Sequence, residues 1–147
     1  MLKGVTPLLG PEVLAILRAM GHGDEIAIVD ANYPADAHAR RLVRMDGHDA
    51  PVILDAVLSL MPLDGAVDGA AFRPCAFGDC ERREPVFAEF EAAIARREPG
   101  FRLTPIAGEP FYDRIRAAYA VIASGERRLY GNIILRKGVI ATPGAAP

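Results

Sequence analysis

The residues best suited by type and spacing to move a proton lie in Gly21-His22-Gly23-Asp24-Glu25-Ile26-Ala27-Ile28-Val29-Asp30. His22 stands between two glycines, in a turn between a helical pattern and a strand pattern. Glycine on either side permits unusual backbone angles and leaves the imidazole unscreened. Imidazole, with an ordinary pKa near ~6.5, can take or give a proton around neutrality. Asp30 closes the apolar run, at the carboxyl end of the strand that this run predicts. A plainer reading makes His22 a cap on the preceding helix and Asp30 the first residue of a turn. The pattern alone leaves both open.

A second group opens the last predicted strand at Tyr130-Gly131-Asn132. Two residues apart in a strand share a face, and the glycine between them lets another backbone come close. A phenol and an amide both donate and accept hydrogen bonds, which suits the hydroxyls of a sugar. The alternative is an aromatic strand residue beside a turn-forming asparagine. Asp64, in Pro62-Leu63-Asp64-Gly65, reads by itself as part of a helix stop. Tyr112, in Pro110-Phe111-Tyr112-Asp113-Arg114, reads as partly buried packing. His38 and His48 lie in polar segments without ligand spacing to His22. Cys75 and Cys80 have no second cysteine pair and no His-x3-5-His to complete a zinc site. They are expected to be reduced thiols without a role.

The elements that position these residues follow from the rest of the chain. Its 147 residues imply one domain over 1–140 and a flexible C-terminal tail over 141–147. Apolar residues make up 51% and charged residues 24%, a globular balance. A net charge of −2 and a pI of about 5.9 give no electrostatic footprint for nucleic acid. The least charged stretch, Ala50 to Ala71, holds three aspartates and two prolines and cannot span a membrane. The first residues lack the regions of a signal peptide, so a cytoplasmic setting is expected.

Helices are predicted over Pro11–Met20, from Ala50 to Met61, over Glu84–Arg97 and over Glu109–Ala123. Strands are predicted over Ile26–Val29, Leu42–Met45, Ala70–Phe77 (at an edge or broken by Pro74), Phe101–Ile106 and Tyr130–Lys137. This alternation argues a three-layer α/β/α domain with a mostly parallel sheet, whose ligand sites lie at the carboxyl ends of strands.

Seven segments in register then add a likeness. They are Met1-Leu2-Lys3-Gly4, Met20-Gly21-His22-Gly23-Asp24-Glu25-Ile26, Asp30-Ala31-Asn32-Tyr33-Pro34, Arg44-Met45-Asp46-Gly47, Pro62-Leu63-Asp64, Phe111-Tyr112-Asp113-Arg114 and the run from Gly125 to Val139. Together they resemble the family of L-fucose mutarotase and D-ribose pyranase, and the fucose branch in the wording around His22 and Asp30. The resemblance covers nearly the whole chain. It implies small α/β subunits in rings, often decamers, with active sites near subunit contacts and no metal or cofactor. It also implies interconversion of the anomers of a monosaccharide by acid–base ring opening. His22 would be the proton donor, Asp64 and Tyr112 would have catalytic roles, and Asp30, Tyr130 and Asn132 would hold the sugar.

One departure stands out. The fucose branch carries a sugar-contacting arginine in an Arg-Phe-x-Phe-Tyr pattern, and here Gly108 occupies its place. Glu109 beside it reverses the local charge, and Arg73 is the candidate for a replacement cation. Two alternatives therefore accompany fucose mutarotation: pyranase-type exchange between pyranose and furanose, and a non-catalytic sugar-binding module.

Overall fold

The computed structural model describes residues 1–141. The tail expected over 141–147 falls almost wholly outside them. In chain order the elements are α1 (Pro11–Ala19), β1 (Glu25–Val29), α2 (Ala35–His38), β2 (Leu42–Met45), α3 (Ala50–Leu58), β3 (Ala71–Pro74), α4 (Pro85–Arg97), β4 (Leu103–Ile106), α5 (Glu109–Ala117), β5 (Ala120–Ser124) and β6 (Ile133–Arg136). The six strands form one sheet in the order β2-β5-β1-β6-β3-β4. β6 is antiparallel to both its neighbours and every other pairing is parallel, so β6 alone runs against the rest.

The apolar runs predict this burial. Strands covered on both faces read as continuous apolar sequence, and all five residues of β5 are buried, as are four of the five in β1. Ile26 and Ile28 of β1 pack with α1, α3 and α4, whereas Ala27 and Val29 point to the other face, with Phe111 and Ile115 of α5 and Ala35 of α2. Helices thus cover both sides of the sheet. α3 is apolar nearly all round, with Ile53, Leu54, Ala56, Val57 and Leu58 buried between the sheet and α4.

Four expectations need correction. The helix expected over Glu109–Ala123 ends at Ala117, Ala118 turns extended (φ −57°, ψ 150°), and the next residues form the central strand β5. A short apolar run satisfies either period, and here the sheet's two buried faces override alanine's helix propensity. Tyr130 and Asn132 precede the last strand instead of opening it. Tyr130 sits in the left-handed region at φ 63°, and the Asn132 amide donates to the Tyr130 carbonyl at 2.7 Å. Pro74 lies in β3, inside the sheet and not at an edge, and breaks the predicted strand by ending it there; the edge strand beside it is β4, which carries Pro105. Finally, Cys75 and Cys80 are joined in a disulfide, not held as separate thiols. The turn through Phe77 and Gly78, closed by the Ala76–Asp79 bridge, brings their Cα atoms to 4.3 Å. Spacing alone does not reveal that turn.

The loop after β5 crosses the loop after β2 so closely that a Cβ built on Gly125 collides with the Asp46 carbonyl. Gly125→Ala is expected to destabilise the fold by about 2 kcal/mol, as overpacking does. Gly47→Ala, with open space around its Cβ, should stay within about 0.5 kcal/mol. Equal denaturation midpoints for the two variants would refute the crossing.

Candidate active site

At the amino end of β1 the chain turns through Gly21-His22-Gly23, with the Gly21 amide donating to Asp24 Oδ2 at 2.8 Å and Gly23 in the left-handed region. His22 does not cap α1: the Lys137 ammonium does, donating to the carbonyls of Leu17 and Met20. The imidazole is instead half exposed, with Nε2 at 3.1 Å from Asp64 Oδ1. Asp64 is only 1% exposed. Its Oδ1 also accepts the Ala66 amide at 3.0 Å, and its Oδ2 accepts Arg136 Nε at 2.9 Å. The Ala66 amide, helped by Arg136 and His22, outweighs burial and holds this carboxyl at a pKa of about 2. The array is therefore an accessible imidazole steered by a carboxylate that is ionised near neutrality, itself anchored by a guanidinium.

At the carboxyl end of the same strand lies the second group. Asp30 and Asn132 are both buried and share two hydrogen bonds of 2.8 Å. The Asp30 amide donates to Asn132 Oδ1, and Asn132 Nδ2 donates to Asp30 Oδ2. The Asn32 amide donates to Asp30 Oδ1 at 2.9 Å. Burial outweighs these bonds and raises the Asp30 pKa. Tyr112, in the first turn of α5, stacks on Tyr33 with ring centroids 6.3 Å apart, and the Tyr33 hydroxyl lies 2.9 Å from His38 Nδ1. Burial raises the Tyr112 phenol, and the nearby Tyr130 and Asp30 push it the same way. The absent side chain at Gly131 makes room for Glu126, whose Cγ would lie 2.5 Å from a Cβ there.

The sequence thus picks residues that gather into two groups rather than one. Asp30, Tyr112, Tyr130 and Asn132 stand together, as do His22 and Asp64. The length of β1, about 16 Å at ~3.3 Å per residue, separates the groups. A cavity of about 570 Å³ beside α1 and β2 includes none of these residues. Sequence reasoning missed Arg136, Tyr33 and His38. Arg136 becomes visible only when β6 is known to pair with β1, and α2, which carries His38, is too short to show a period.

The RbsD / FucU transport protein family matches residues 3–140. The chain belongs to that family. The human fucose mutarotase is 45% identical, covering 95% of each chain. The L-fucose mutarotase of Haemophilus influenzae is 40% identical over 95% of this chain and 97% of its own. The crystal structure of the Streptococcus pneumoniae fucose mutarotase in complex with L-fucose superposes with a TM-score of 0.86, at 40% identity over 95% of this chain and all of that one.

At Gly108, where the resemblance to the fucose branch leads to the expectation of an arginine, backbone as well as charge is at stake. Gly108 adopts φ 62°, ψ −148°, a conformation strained for any L side chain, so an arginine there would require a different loop. Arg73 does not replace it. That side chain is 3% exposed, and its guanidinium is turned to the Pro74 and Cys80 carbonyls. Glu109 is paired with Arg116.

The two carboxyls also predict opposite pH effects. Asp64, lowered to about 2, favours the folded state above the ordinary carboxylate pKa of ~3.9, and that contribution disappears as pH falls through about 2. Asp30, raised, opposes folding as pH climbs above ~3.9 towards its folded value. Chemical denaturation from pH 2 to 6 should show a shallower acid loss of stability in Asp64→Asn than in the parent. In Asp30→Asn, whose parent residue has the opposite sign, the loss should be steeper. An unchanged slope in Asp64→Asn would sink the assignment.

Proposed function

We propose that the chain interconverts the anomers of L-fucose or a closely related 6-deoxy aldose by opening and reclosing the sugar ring. The observation that carries the chemistry is the accessible His22 imidazole held by buried, ionised Asp64. Full-length likeness to fucose mutarotases supports the substrate class. Anomer exchange removes the proton from the anomeric hydroxyl while protonating the ring oxygen. The open aldehyde rotates about its first carbon–carbon bond and closes on the other face. No electrons or groups are transferred. Free sugars already exchange slowly in water, so a gain of 10²–10⁴-fold (~3–5 kcal/mol) from positioned acid–base groups is sufficient.

The geometry divides the roles. Asp64 stays ionised near neutrality, so it orients the imidazole instead of delivering a proton itself. Tyr112, a phenol kept protonated by its raised pKa, serves the second oxygen: of the imidazole and the phenol, one takes the anomeric proton as the other protonates the ring oxygen, and ring closure returns both protons. Asp30, Tyr130 and Asn132 would hold the hydroxyls. Because the length of β1 separates His22 from these groups, the reading places them together between copies: His22 of one subunit would face Asp30, Tyr112, Tyr130 and Asn132 of the next. A closed ring gives every copy both halves. This reading keeps the expected homo-oligomer, a ring such as a decamer, and the expected cytoplasmic setting, where free monosaccharides are handled. No helix of the described residues is long and apolar enough to cross a membrane. The missing cation at Gly108 favours one alternative, a sugar-binding module without exchange.

Saturation-difference proton NMR on the anomeric signals of L-fucose, D-ribose and other aldoses tests the reaction. His22→Ala is expected to lower exchange by about 10²-fold or more while retaining binding; full activity would remove His22 from the mechanism. Binding without exchange in the parent would select the binding module.

Subunit complementation tests the composite site. His22→Ala and Asn132→Ala are each expected to be inactive alone. Co-refolded in equal amounts, they should recover about a quarter of the sites, since each site needs one intact half from each neighbour. No recovery, or light scattering that shows a concentration-independent monomer, would refute it.

A further inference from the structure

Among the described residues, Phe77 and Tyr130 are the two non-glycine residues with positive φ, at 52° and 63°, and they touch. Their rings meet edge to face with centroids 4.9 Å apart. Phe77 is 60% exposed, unusual for a phenylalanine, and the Arg82 guanidinium lies 4.3 Å from its ring centroid. Strained, exposed aromatic residues persist where surrounding structure forces them, and such places cluster at ligand sites. What forces Phe77 is the loop that carries it.

That loop is closed three times over. The Cys75–Cys80 disulfide joins its ends. The Ala76–Asp79 bridge closes its tip, with the Asp79 amide donating to the Ala76 carbonyl at 2.9 Å. Arg73 ties down its base. This arginine is buried without a carboxylate partner among the described residues, donates from Nη1 to the Pro74 carbonyl at 3.0 Å and from Nη2 to the Cys80 carbonyl at 2.9 Å, and lies over the Phe87 ring at 4.4 Å. Its Nε has no partner. A buried charge spent on two loop carbonyls is costly unless the loop holds its shape.

We propose that the Cys75–Cys80 loop is part of the sugar site, with Phe77 acting as a positioning residue for Tyr130, and that the disulfide makes sugar affinity dependent on redox state. The inference rests on the reading of Tyr130 as a sugar-holding residue. With the disulfide closed, the loop presses Phe77 against the Tyr130 ring and fixes the turn from Tyr130 to Asn132 that also orients Asn132 towards Asp30. With it open, a segment of six residues regains chain freedom, and that support of the Tyr130 ring is lost. The redox step needs a dithiol reductant. One of its thiolates attacks a cysteine sulfur and breaks the Cys75–Cys80 bond, its second thiol then displaces the mixed disulfide, and the reductant leaves as a cyclic disulfide. Two electrons and two protons have passed to the protein, which now carries two thiols. In a reducing compartment such a bond is conditional, which gives the dependence a use.

The test compares protein purified without reductant with the same protein treated with dithiothreitol. Thiol titration should find none in the first and two in the second; two free thiols before reduction overturn the proposal. On reduction, KM for L-fucose is expected to rise roughly tenfold with kcat within about twofold, because binding is lost and the proton-transfer groups are untouched. The double variant Cys75→Ser with Cys80→Ser should show that higher KM permanently and ignore dithiothreitol. Phe77→Ala should reproduce the effect and Phe77→Tyr should reverse most of it. A KM unaffected by reduction or by Phe77→Ala overturns the role of the loop.

Hydrogen exchange over residues 126–133, measured without sugar, separates this result from failure of the sugar reading. Unchanged protection on reduction overturns the coupling whatever the sugar data show. Faster exchange, with no sugar bound or converted by either form, overturns the sugar assignment and the proposal's claim on affinity.

Discussion

The antiparallel register of β1 on β6 sets both ends of the sheet at once. Ile28 opposite Ile133 brings Asn132 to the backbone of Asp30, and Glu25 opposite Arg136 brings that guanidinium to the end where His22 and Asp64 lie. A slip of one residue would turn every side chain of β6 to the other face and break both groups together. The slip is forbidden by packing, because Ile133 and Leu135 belong to the core under α1, α3 and α4, while Ile134 belongs to the core under α5. Core packing therefore specifies the polar ends without touching them.

Two aspartates follow from this arrangement and are tuned apart. Asp64 meets a backbone amide, a guanidinium and an imidazole and stays ionised; Asp30 meets two backbone amides and an asparagine, and burial prevails. Pairs of like groups pushed in opposite directions are how a site assigns different tasks to the same chemistry. Here the separation is also spatial. Apart from β6 the strands run the same way, so Asp30, the Cys75 loop and Tyr112 gather near the carboxyl edge, the usual place for a ligand in such sheets. His22 stands at the opposite edge. With His22 moving the proton and the carboxyl edge holding the sugar, as proposed, a single chain would need a second copy to use both.

The α/β class, the ends of β1 and the places of His22 and Asp30 were legible because they depend on local pattern: glycines around a histidine, then a short apolar run, then an acid. The division into two groups was not. It depends on which strand lies beside which, and a sequence carries no local sign that Arg136 returns to Asp64 or that Tyr112 approaches Tyr130. Ala120 to Ala123 fits either period until the neighbours of β5 are known. Nothing local announces a left-handed tyrosine at 130; the crowding of Gly131 against Glu126 becomes visible only in three dimensions. The lack of a second cysteine pair does not tell whether Cys75 and Cys80 join each other; a two-residue turn decides that.

Gly108 and Phe77 lie on one side of the molecule. The Cys75 amide donates to the Ile106 carbonyl at 3.2 Å, so the loop that carries Phe77 and the loop that carries Gly108 are bonded to each other where β3 and β4 end. Gly108 and Phe77 therefore belong to one shared wall. An arginine at 108 would bring a cation to that wall, whereas the wall here presents a phenyl ring packed edge to face on Tyr130. In the proposed reading the opposite edge, with His22, Asp64 and Arg136, needs no adjustment for such a change, since proton exchange with the sugar oxygens is the same for any aldose. Separating the two ends would then let the wall that holds the sugar vary while the acid–base array stays fixed.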